Sequence, residues 1–304
     1  RVLFRSIWSD ADRAPALTQY AKQFGDEISY DKVEIPLGEF ESAIGEMIDE
    51  GYHGLNVTIP FKLDAFRCST KCSSQARQSR AVNTLTFQNN KILGENTDGT
   101  GFIRDLEERL KFFVEHKKIL ILGAGGGVRG ILPALMERMP KSVTVANRSV
   151  ARAQELCDEF GIQSILYDET GSESYDLIVN ATSLGLKPTD PSPVPPALLS
   201  AHHLVYDLQT HDDAFQMEAR FQGARTANGL SMLIHQGALS FERWFGVKPD
   251  AGVQLNGIHL EPPGTVERKD GIIPVFSVCF NKRRYGGTRD DFDVRFRAHH
   301  ERSK

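Results

Sequence analysis

Lys117-Lys118-Ile119-Leu120-Ile121-Leu122-Gly123-Ala124-Gly125-Gly126-Gly127-Val128 is the stretch whose reading decides the fold. By composition its first half is a strand of a buried parallel sheet. A glycine-rich turn follows, and a helical pattern then runs to about Glu137. Gly123 permits a tight turn, and Gly125 lets the backbone approach a pyrophosphate. The helix N-terminus adds unpaired N–H groups and the positive end of its dipole. A tight turn alone also needs glycine, but strand, motif and helix in this order point to dinucleotide binding. Val128 stands where the usual pattern has its third glycine, so the helix packs there with a larger residue.

Downstream the same alternation continues. Ser142-Val143-Thr144-Val145-Ala146 reads as the next strand and Val150 to Phe160 as the next helix. Leu177-Ile178-Val179 and Leu204-Val205-Tyr206 are further strands. Strands alternating with helices imply a parallel, doubly wound sheet. The end of the second strand bears on the cofactor. NAD sites usually carry Asp or Glu there for the ribose 2′-hydroxyl. This chain has Asn147-Arg148-Ser149 and then Arg152. An Asp would repel a 2′-phosphate, whereas two guanidiniums attract it and can bind it bidentately. NADP is the cofactor expected; the blander alternative is a solvated helix start with Ser149 as its N-cap.

Upstream, residues 14–100 mix helical and strand signals. Ala16 to Phe24 has a helical pattern, Ile28 to Ile35 alternates like a strand, and Phe40 to Ile48 repeats at helical spacing. Gly54 to Thr58 is a short strand, and Thr84–Phe87 with Lys91–Gly94 flank Asn89-Asn90, a hairpin turn. Three polar runs lie here: Asn56-Val57-Thr58-Ile59-Pro60-Phe61-Lys62, Ala81-Val82-Asn83-Thr84 and Asn96-Thr97-Asp98-Gly99. A small polyol needs amide, hydroxyl and carboxylate partners of this kind. A Lys close to an Asp can give a proton to a carbonyl oxygen as hydride arrives. Spacing alone leaves open that Lys62 is a surface lysine and Asp98 the N-cap of a Thr100 to Leu110 helix.

The chain has 304 residues, about twice the roughly 150-residue prior for one domain, so two domains are expected. With 40% hydrophobic and 25% charged residues it is not a mostly disordered, collagen-like or coiled-coil chain. A net charge of −4 gives no electrostatic footprint for nucleic acid. No apolar run approaches the roughly 18 residues of a membrane span. Four cysteines are too few for a disulfide scaffold, and Cys68-x3-Cys72 has no second ligand pair nearby, so no metal is expected. A soluble, reduced, cytoplasmic protein follows as the expectation. Arg1 to Ser6 can be encoded by one frame of a common sequencing adapter and is expected to be foreign; the alternative is a first strand on Val2-Leu3-Phe4. After Asp250 the character changes. Glycines and prolines break the helix, one apolar run spans Ile272 to Phe280, and Lys282 to Lys304 holds eight Lys/Arg against four Asp/Glu. A solvated tail is expected for that last stretch.

From about Pro15 to Asp250 the chain resembles the shikimate dehydrogenase family. The resemblance rests on the three polar runs, on Gly123-Ala124-Gly125-Gly126 and on Asn147-Arg148-Ser149. It continues through Asn180-Ala181-Thr182-Ser183-Leu184-Gly185 and Gly229-Leu230-Ser231-Met232-Leu233-Ile234-His235-Gln236. It implies an N-terminal α/β substrate domain and a Rossmann-type doubly wound NADP-binding domain. The implied bounds are 7–99 for the first, with a helix at 230–250 returning to it, 100–229 for the second, and 251–304 as an atypical tail. The implied reaction is reversible, NADPH-dependent reduction of 3-dehydroshikimate to shikimate. Lys62 and Asp98 are the implied catalytic pair. Asn56, Thr58, Asn83 and Gln236 are the implied substrate residues. Gly123, Ala124, Gly125, Gly126, Gly127, Asn147, Arg148, Ser149, Arg152, Thr182, Ser183 and Gly229 are the implied cofactor residues. A small-molecule substrate, no nucleic acid or membrane, and a monomer or homodimer complete the expectation.

Three departures stand out. The family's Ser-x-Ser-Pro, which binds the substrate carboxylate, is matched here by Asp12-Arg13-Ala14-Pro15. A family Tyr after Tyr206-Asp207-Leu208 is replaced by Thr210 in a loop about two residues shorter. The tail beyond Asp250 has no resemblance to the family's closing helix. These departures keep open a paralogue acting on quinate or another hydroxylated cyclic acid, and a non-catalytic NADP sensor. Intact Lys62 and Asp98 speak against the sensor. A methyltransferase glycine loop is disfavoured by Arg148 and Arg152, since S-adenosylmethionine has no 2′-phosphate.

Overall fold

The computed structural model describes Tyr20, Gln23, residues 29–172, 174–186 and 189–251, and the backbone of 272–279. Contacts divide the chain into two units: one ends at Thr97 and resumes at Ile234, the other is Asp98–Leu233. Arg1 to Ser6, the run Asp12 to Pro15 and the tail from Lys282 lie outside the described residues.

The first unit alternates short elements: β1 (Ser29–Pro36), α1 (Phe40–Asp49), β2 (Tyr52–Val57), α2 (Lys62–Cys68), β3 (Lys71–Cys72), α3 (Ser74–Ser79), β4 (Thr84–Gln88) and β5 (Lys91–Glu95). Helix α1 buries Phe40, Ile44 and Met47, spaced four and three apart, on one face. They join Leu55, Val57, Phe61 and Leu85 in the core, where the rings of Phe40 and Phe61 stack at 5.2 Å. The tail's apolar run forms a strand, β12 (Ile272–Cys279). It lies antiparallel between β1 and β2, giving the sheet order β1-β12-β2-β4-β5-β3.

β4 and β5 pair from Thr84↔Glu95 to Gln88↔Lys91, leaving Asn89 and Asn90 as a two-residue turn with φ of +51° and +56°. Positive φ at both positions is the twist-matched hairpin turn, and Asn tolerates it better than other side chains. Asn90→Ala is expected to lower stability by about 1 kcal/mol, the cost of a left-handed residue without Asn's local hydrogen bonding. An unchanged urea midpoint would show that the turn contributes nothing.

The second unit begins with α4 (Asp98–Arg104) and then alternates β6 (Lys118–Leu122), α5 (Gly126–Met136), β7 (Ser142–Ala146), α6 (Val150–Phe160), β8 (Gln163–Ile165), β9 (Leu177–Asn180), β10 (Leu204–Asp207), α7 (Ala214–Phe221) and β11 (Arg225–Ala227). All pairings are parallel, in the order β11-β10-β9-β6-β7-β8. β9 and β10 are buried throughout, and only Lys118 of β6 is not, as strands covered on both faces must be. The last helix, α8 (Leu230–Phe245), starts in this unit and runs into the first.

One sequence expectation is corrected here. The periodicity suggests a single helix over Thr100–Leu110, but α4 ends at Arg104 and a wider π turn spans Asp105–Arg109. The buried Asp105 carboxylate supplies the reason. It accepts from Arg109 Nε at 2.5 Å and Nη2 at 2.9 Å, and from the Tyr206 hydroxyl at 2.6 Å. Burying that carboxylate is tolerable only with such partners, and meeting them reshapes the turn.

Candidate active site

In the first unit Asn56 lies in β2, Thr58 just after it, Asn83 just before β4, and Gln236 on α8. Asn56, Thr58, Lys62 and Asn83 are all at least nine-tenths buried. The Asn56 amide donates to the Asn83 carbonyl at 3.3 Å, to Thr84 Oγ1 at 3.3 Å and to Ser240 Oγ at 3.1 Å. Ser240 in turn donates to the Gln236 carbonyl at 3.0 Å, one helical turn earlier on α8. Asn83 donates to Thr97 Oγ1 at 3.0 Å, and its Oδ1 accepts the Thr97 N–H at 2.9 Å. Of the four predicted substrate residues, this network fixes the side chains of Asn56 and Asn83 relative to one another and to the backbone of Gln236. The fourth, Thr58, closes a turn by accepting the Phe61 N–H at 2.9 Å, just before α2 opens on Lys62. Lys62 is only 5% exposed, so the reading of it as an ordinary surface lysine is overturned. Its carbonyl accepts the Val82 N–H at 2.9 Å, tying it to the segment that carries Asn83 into β4.

Asp98 opens α4 in the second unit and is 2% exposed. A Cβ on Gly130 of α5 would lie 2.8 Å from Asp98 Oδ2, so that glycine makes room for the carboxylate.

The glycine turn lies at the C-terminal edge of the parallel sheet, where ligands of such folds bind. Gly123 has φ of +105°, and a Cβ there would sit 2.9 Å from the Ala181 carbonyl oxygen. The turn and the Ala181–Gly185 segment therefore touch through a gap only glycine leaves. Gly125 faces open space, and α5 begins after it with no side-chain cap. A first helical turn left uncapped beside open space is what a pyrophosphate needs. Ala124, Gly126 and Gly127 line the same turn, half-buried or exposed. Val128 is fully buried, the larger packing residue expected in place of the third glycine. Gly123→Ala is expected to cost about 1–2 kcal/mol through the positive φ and the crowding against Ala181. A thermal midpoint equal to that of the unsubstituted protein would overturn this.

At the end of β7, Arg148, Ser149 and Arg152 are exposed. Asn147 donates to the Ser149 carbonyl at 2.9 Å, and Ser149 occupies the N-cap of α6 without a side-chain cap bond. Neither Arg148 nor Arg152 forms an ion pair among the described residues. Two unneutralised guanidiniums beside an uncapped glycine turn fit a phosphorylated dinucleotide.

The Ala181–Gly185 segment is held from beneath. Asn180 Oδ1 accepts from the Thr182 N–H at 3.1 Å and from its hydroxyl at 2.8 Å. Asn180 Nδ2 donates to Asp207 Oδ2 at 2.6 Å. Thr182 is half-buried and Ser183 exposed. Gly229 is buried and donates its N–H to the Gln209 carbonyl at 2.6 Å.

Comparison with known proteins places this arrangement. Residues 13–85 match a profile described as the shikimate dehydrogenase substrate binding domain. Residues 106–186 match shikimate / quinate 5-dehydrogenase, and 229–253 match the shikimate 5'-dehydrogenase C-terminal domain. The NADP(+) shikimate dehydrogenase of Chromobacterium violaceum is 38% identical over 239 residues, 76% of this chain and 87% of that protein. The chain belongs to the shikimate dehydrogenase family. Among solved structures, the shikimate dehydrogenase of Aquifex aeolicus superposes with a TM-score of 0.72 at 30% identity, covering 81% of this chain and 90% of that one. The Thermus thermophilus shikimate 5-dehydrogenase, solved with NADP(H) and shikimate, gives 0.70 at 30% identity, covering 80% and 92%.

Shikimate dehydrogenase membership also supports the fold expected from the sequence, an α/β substrate unit with a Rossmann-type unit. Ser240 escaped the sequence reading, and Thr84 was read only as part of a polar run, although together they knit Asn56 to α8. The available signal was Ser240 at four residues past Gln236, one turn along the same helix face. Asp213, discussed below, carried no signal beyond its place before a helical pattern.

Proposed function

We propose that this chain catalyses the reversible, NADPH-dependent reduction of 3-dehydroshikimate to shikimate, with Lys62 and Asp98 carrying the proton chemistry. The observation behind the reading is the 38% identity, over most of both chains, with an enzyme named shikimate dehydrogenase (NADP(+)). Bound NADPH supplies the hydride for the ring ketone. Lys62 gives the carbonyl oxygen its proton as negative charge develops there, and takes it back in the reverse direction. Asp98 orients the reacting hydroxyl and stabilises the ammonium. Asn56, Thr58, Asn83 and Gln236 bind the substrate hydroxyls. The hydrogen bonds that tie Asn56 and Asn83 together mean that little ordering of those two remains to be done on binding. Gly123 to Gly127 receive the pyrophosphate on backbone N–H groups. Asn147, Arg148, Ser149 and Arg152 take the 2′-phosphate end, and Thr182, Ser183 and Gly229 border the nicotinamide.

The same reading has the enzyme act in the cytoplasm as a monomer or homodimer on a small molecule, with neither nucleic acid nor membrane as partner. The net charge of −4 supports it. So does the lack, among the described residues, of any helix long and apolar enough to cross a membrane. The test is NADP⁺ reduction with shikimate, run beside quinate. Turnover with a higher kcat/KM for shikimate is expected. A higher kcat/KM for quinate, or no turnover with either while NADP⁺ binds, would overturn the substrate assignment.

A further inference from the structure

Beneath the Ala181–Gly185 segment lie two carboxyl groups that the reaction does not use. Asp207 ends β10 and is fully buried; Asp213 precedes α7 and is 7% exposed. Three of their four oxygens have donors. Asp207 Oδ1 accepts the Gln209 N–H at 2.8 Å, and its Oδ2 accepts from Asn180 at 2.6 Å. Asp213 Oδ1 caps α7 by accepting the Gln216 N–H at 2.9 Å. Asp213 Oδ2 is buried with no donor, and so is the neighbouring Gln209 Oε1. The two carboxyls are within hydrogen-bonding reach of each other, yet as carboxylates both can only accept. The missing donor is a carboxyl proton.

Against this pair rests the segment of interest. Gly185 has φ of +99°, and a Cβ there would lie 1.9 Å from Asp213 Oδ2 and 3.1 Å from Gln209 Nε2. Gln209 Nε2 donates to the Leu184 carbonyl at 2.7 Å, and His211 Nε2 to the Gly185 carbonyl at 3.1 Å. Both of these donors come from the loop between β10 and α7, which the two aspartates bracket; Asn180 adds a bond to the Leu184 carbonyl at 3.2 Å.

We propose that Asp207 and Asp213 share one proton and act as a positioning pair, holding Ala181–Gly185 in the shape that receives the nicotinamide end of the cofactor. The proposal rests on the reading of Thr182 and Ser183 as cofactor residues. Loss of the proton leaves two adjacent buried carboxylates, and their repulsion drives the two loops apart. Burial, and then the Asp213 charge, push Asp207 up to about 8, and burial raises Asp213 as well. Other charged or titratable groups face the pair. His211 draws Asp213 down and Asp212 pushes it up; Asp212 is itself paired with Arg220 at 2.7 Å. Asp190 Oδ2 accepts the Gly185 N–H at 3.1 Å, and the Tyr206 hydroxyl is turned to Asp105.

The sign of the linkage is fixed. A carboxyl raised in the folded state holds a proton that the unfolded chain has released. Its stability contribution is full below about pH 4 and is lost as pH rises through about 8. NADP⁺ affinity follows the same limb if the pair positions the segment. The dissociation constant should then rise about tenfold between pH 7 and pH 9, the fall expected when only the protonated fraction binds. Asp213→Asn carries a permanent donor at the same place and still caps α7.

The experiment is fluorescence titration of the full chain with NADP⁺ from pH 7 to 9.5, with apo thermal midpoints over the same range. Unsubstituted protein should lose thermal stability as pH rises to about 8, where that loss levels off, and should lose NADP⁺ affinity above it, while D213N should hold both level. A flat affinity in the unsubstituted protein, or the same rise in D213N, overturns the proposal. A stability limb that D213N removes, with affinity unaffected by pH, overturns the positioning role. Thr182→Ala and Ser183→Ala test the underlying reading separately: unchanged NADP⁺ affinity in both removes the segment from the cofactor site, whatever the pair does.

Discussion

Lys62→Ala is expected to lower kcat for shikimate oxidation at least about 100-fold, the lower end of what positioned general acid–base groups contribute. NADP⁺ affinity should stay within about twofold, because an amine acting only on the reacting oxygen is not part of the uniform binding of the cofactor. The structural argument is the lysine's setting. It opens α2, is 5% exposed, and its own backbone is pinned to Val82. The variant leaves α2 and the backbone bond to Val82 in place, so the fold is expected to survive. Steady-state kcat with a parallel NADP⁺ titration makes the check. Turnover near that of the unsubstituted protein would remove Lys62 from the mechanism, and loss of cofactor binding in parallel would point to misfolding instead.

The second large effect is on cofactor choice. Arg148→Ala should reduce kcat/KM for NADPH by roughly 10- to 100-fold, the worth of one or two charge-assisted hydrogen bonds to a phosphate. With NADH, which lacks the 2′-phosphate, it should change less than about threefold. Arg148 is exposed at the end of β7 and has no carboxylate partner among the described residues, so its removal leaves no buried charge behind. The ratio of the two coefficients is thus a clean readout of phosphate recognition. Equal losses with both cofactors would refute the 2′-phosphate role and would transfer the specificity to Arg152 or to backbone groups.

Much of the architecture was legible from local signals. The apolar run ending at Leu122, the glycines after it and the next strand ending at Ala146 each obey rules that operate within a few residues. The Asn89-Asn90 turn is a further case, since two adjacent asparagines between alternating strands leave few other conformations. The π turn at Asp105–Arg109 was not legible, because its cause is a tyrosine on β10, 101 residues away. The burial of Lys62 was equally invisible to spacing; family resemblance implied its catalytic role, and only the structure shows it buried.

The sequence by itself determined the parallel cofactor-binding sheet and the preference for a phosphorylated cofactor. These depend on backbone freedom, side-chain charge and short-range periodicity, which a linear chain already carries. Only the tertiary structure decided that Ile272–Cys279 enters the first sheet between β1 and β2, that Asn56 is locked to Ser240 across 184 positions, and that Asp207 and Asp213 face one another without a donor between them. Each of those is a pairing of groups distant in sequence. What such a group contributes depends on its partner and on the water excluded around both, and neither exists until the chain has folded.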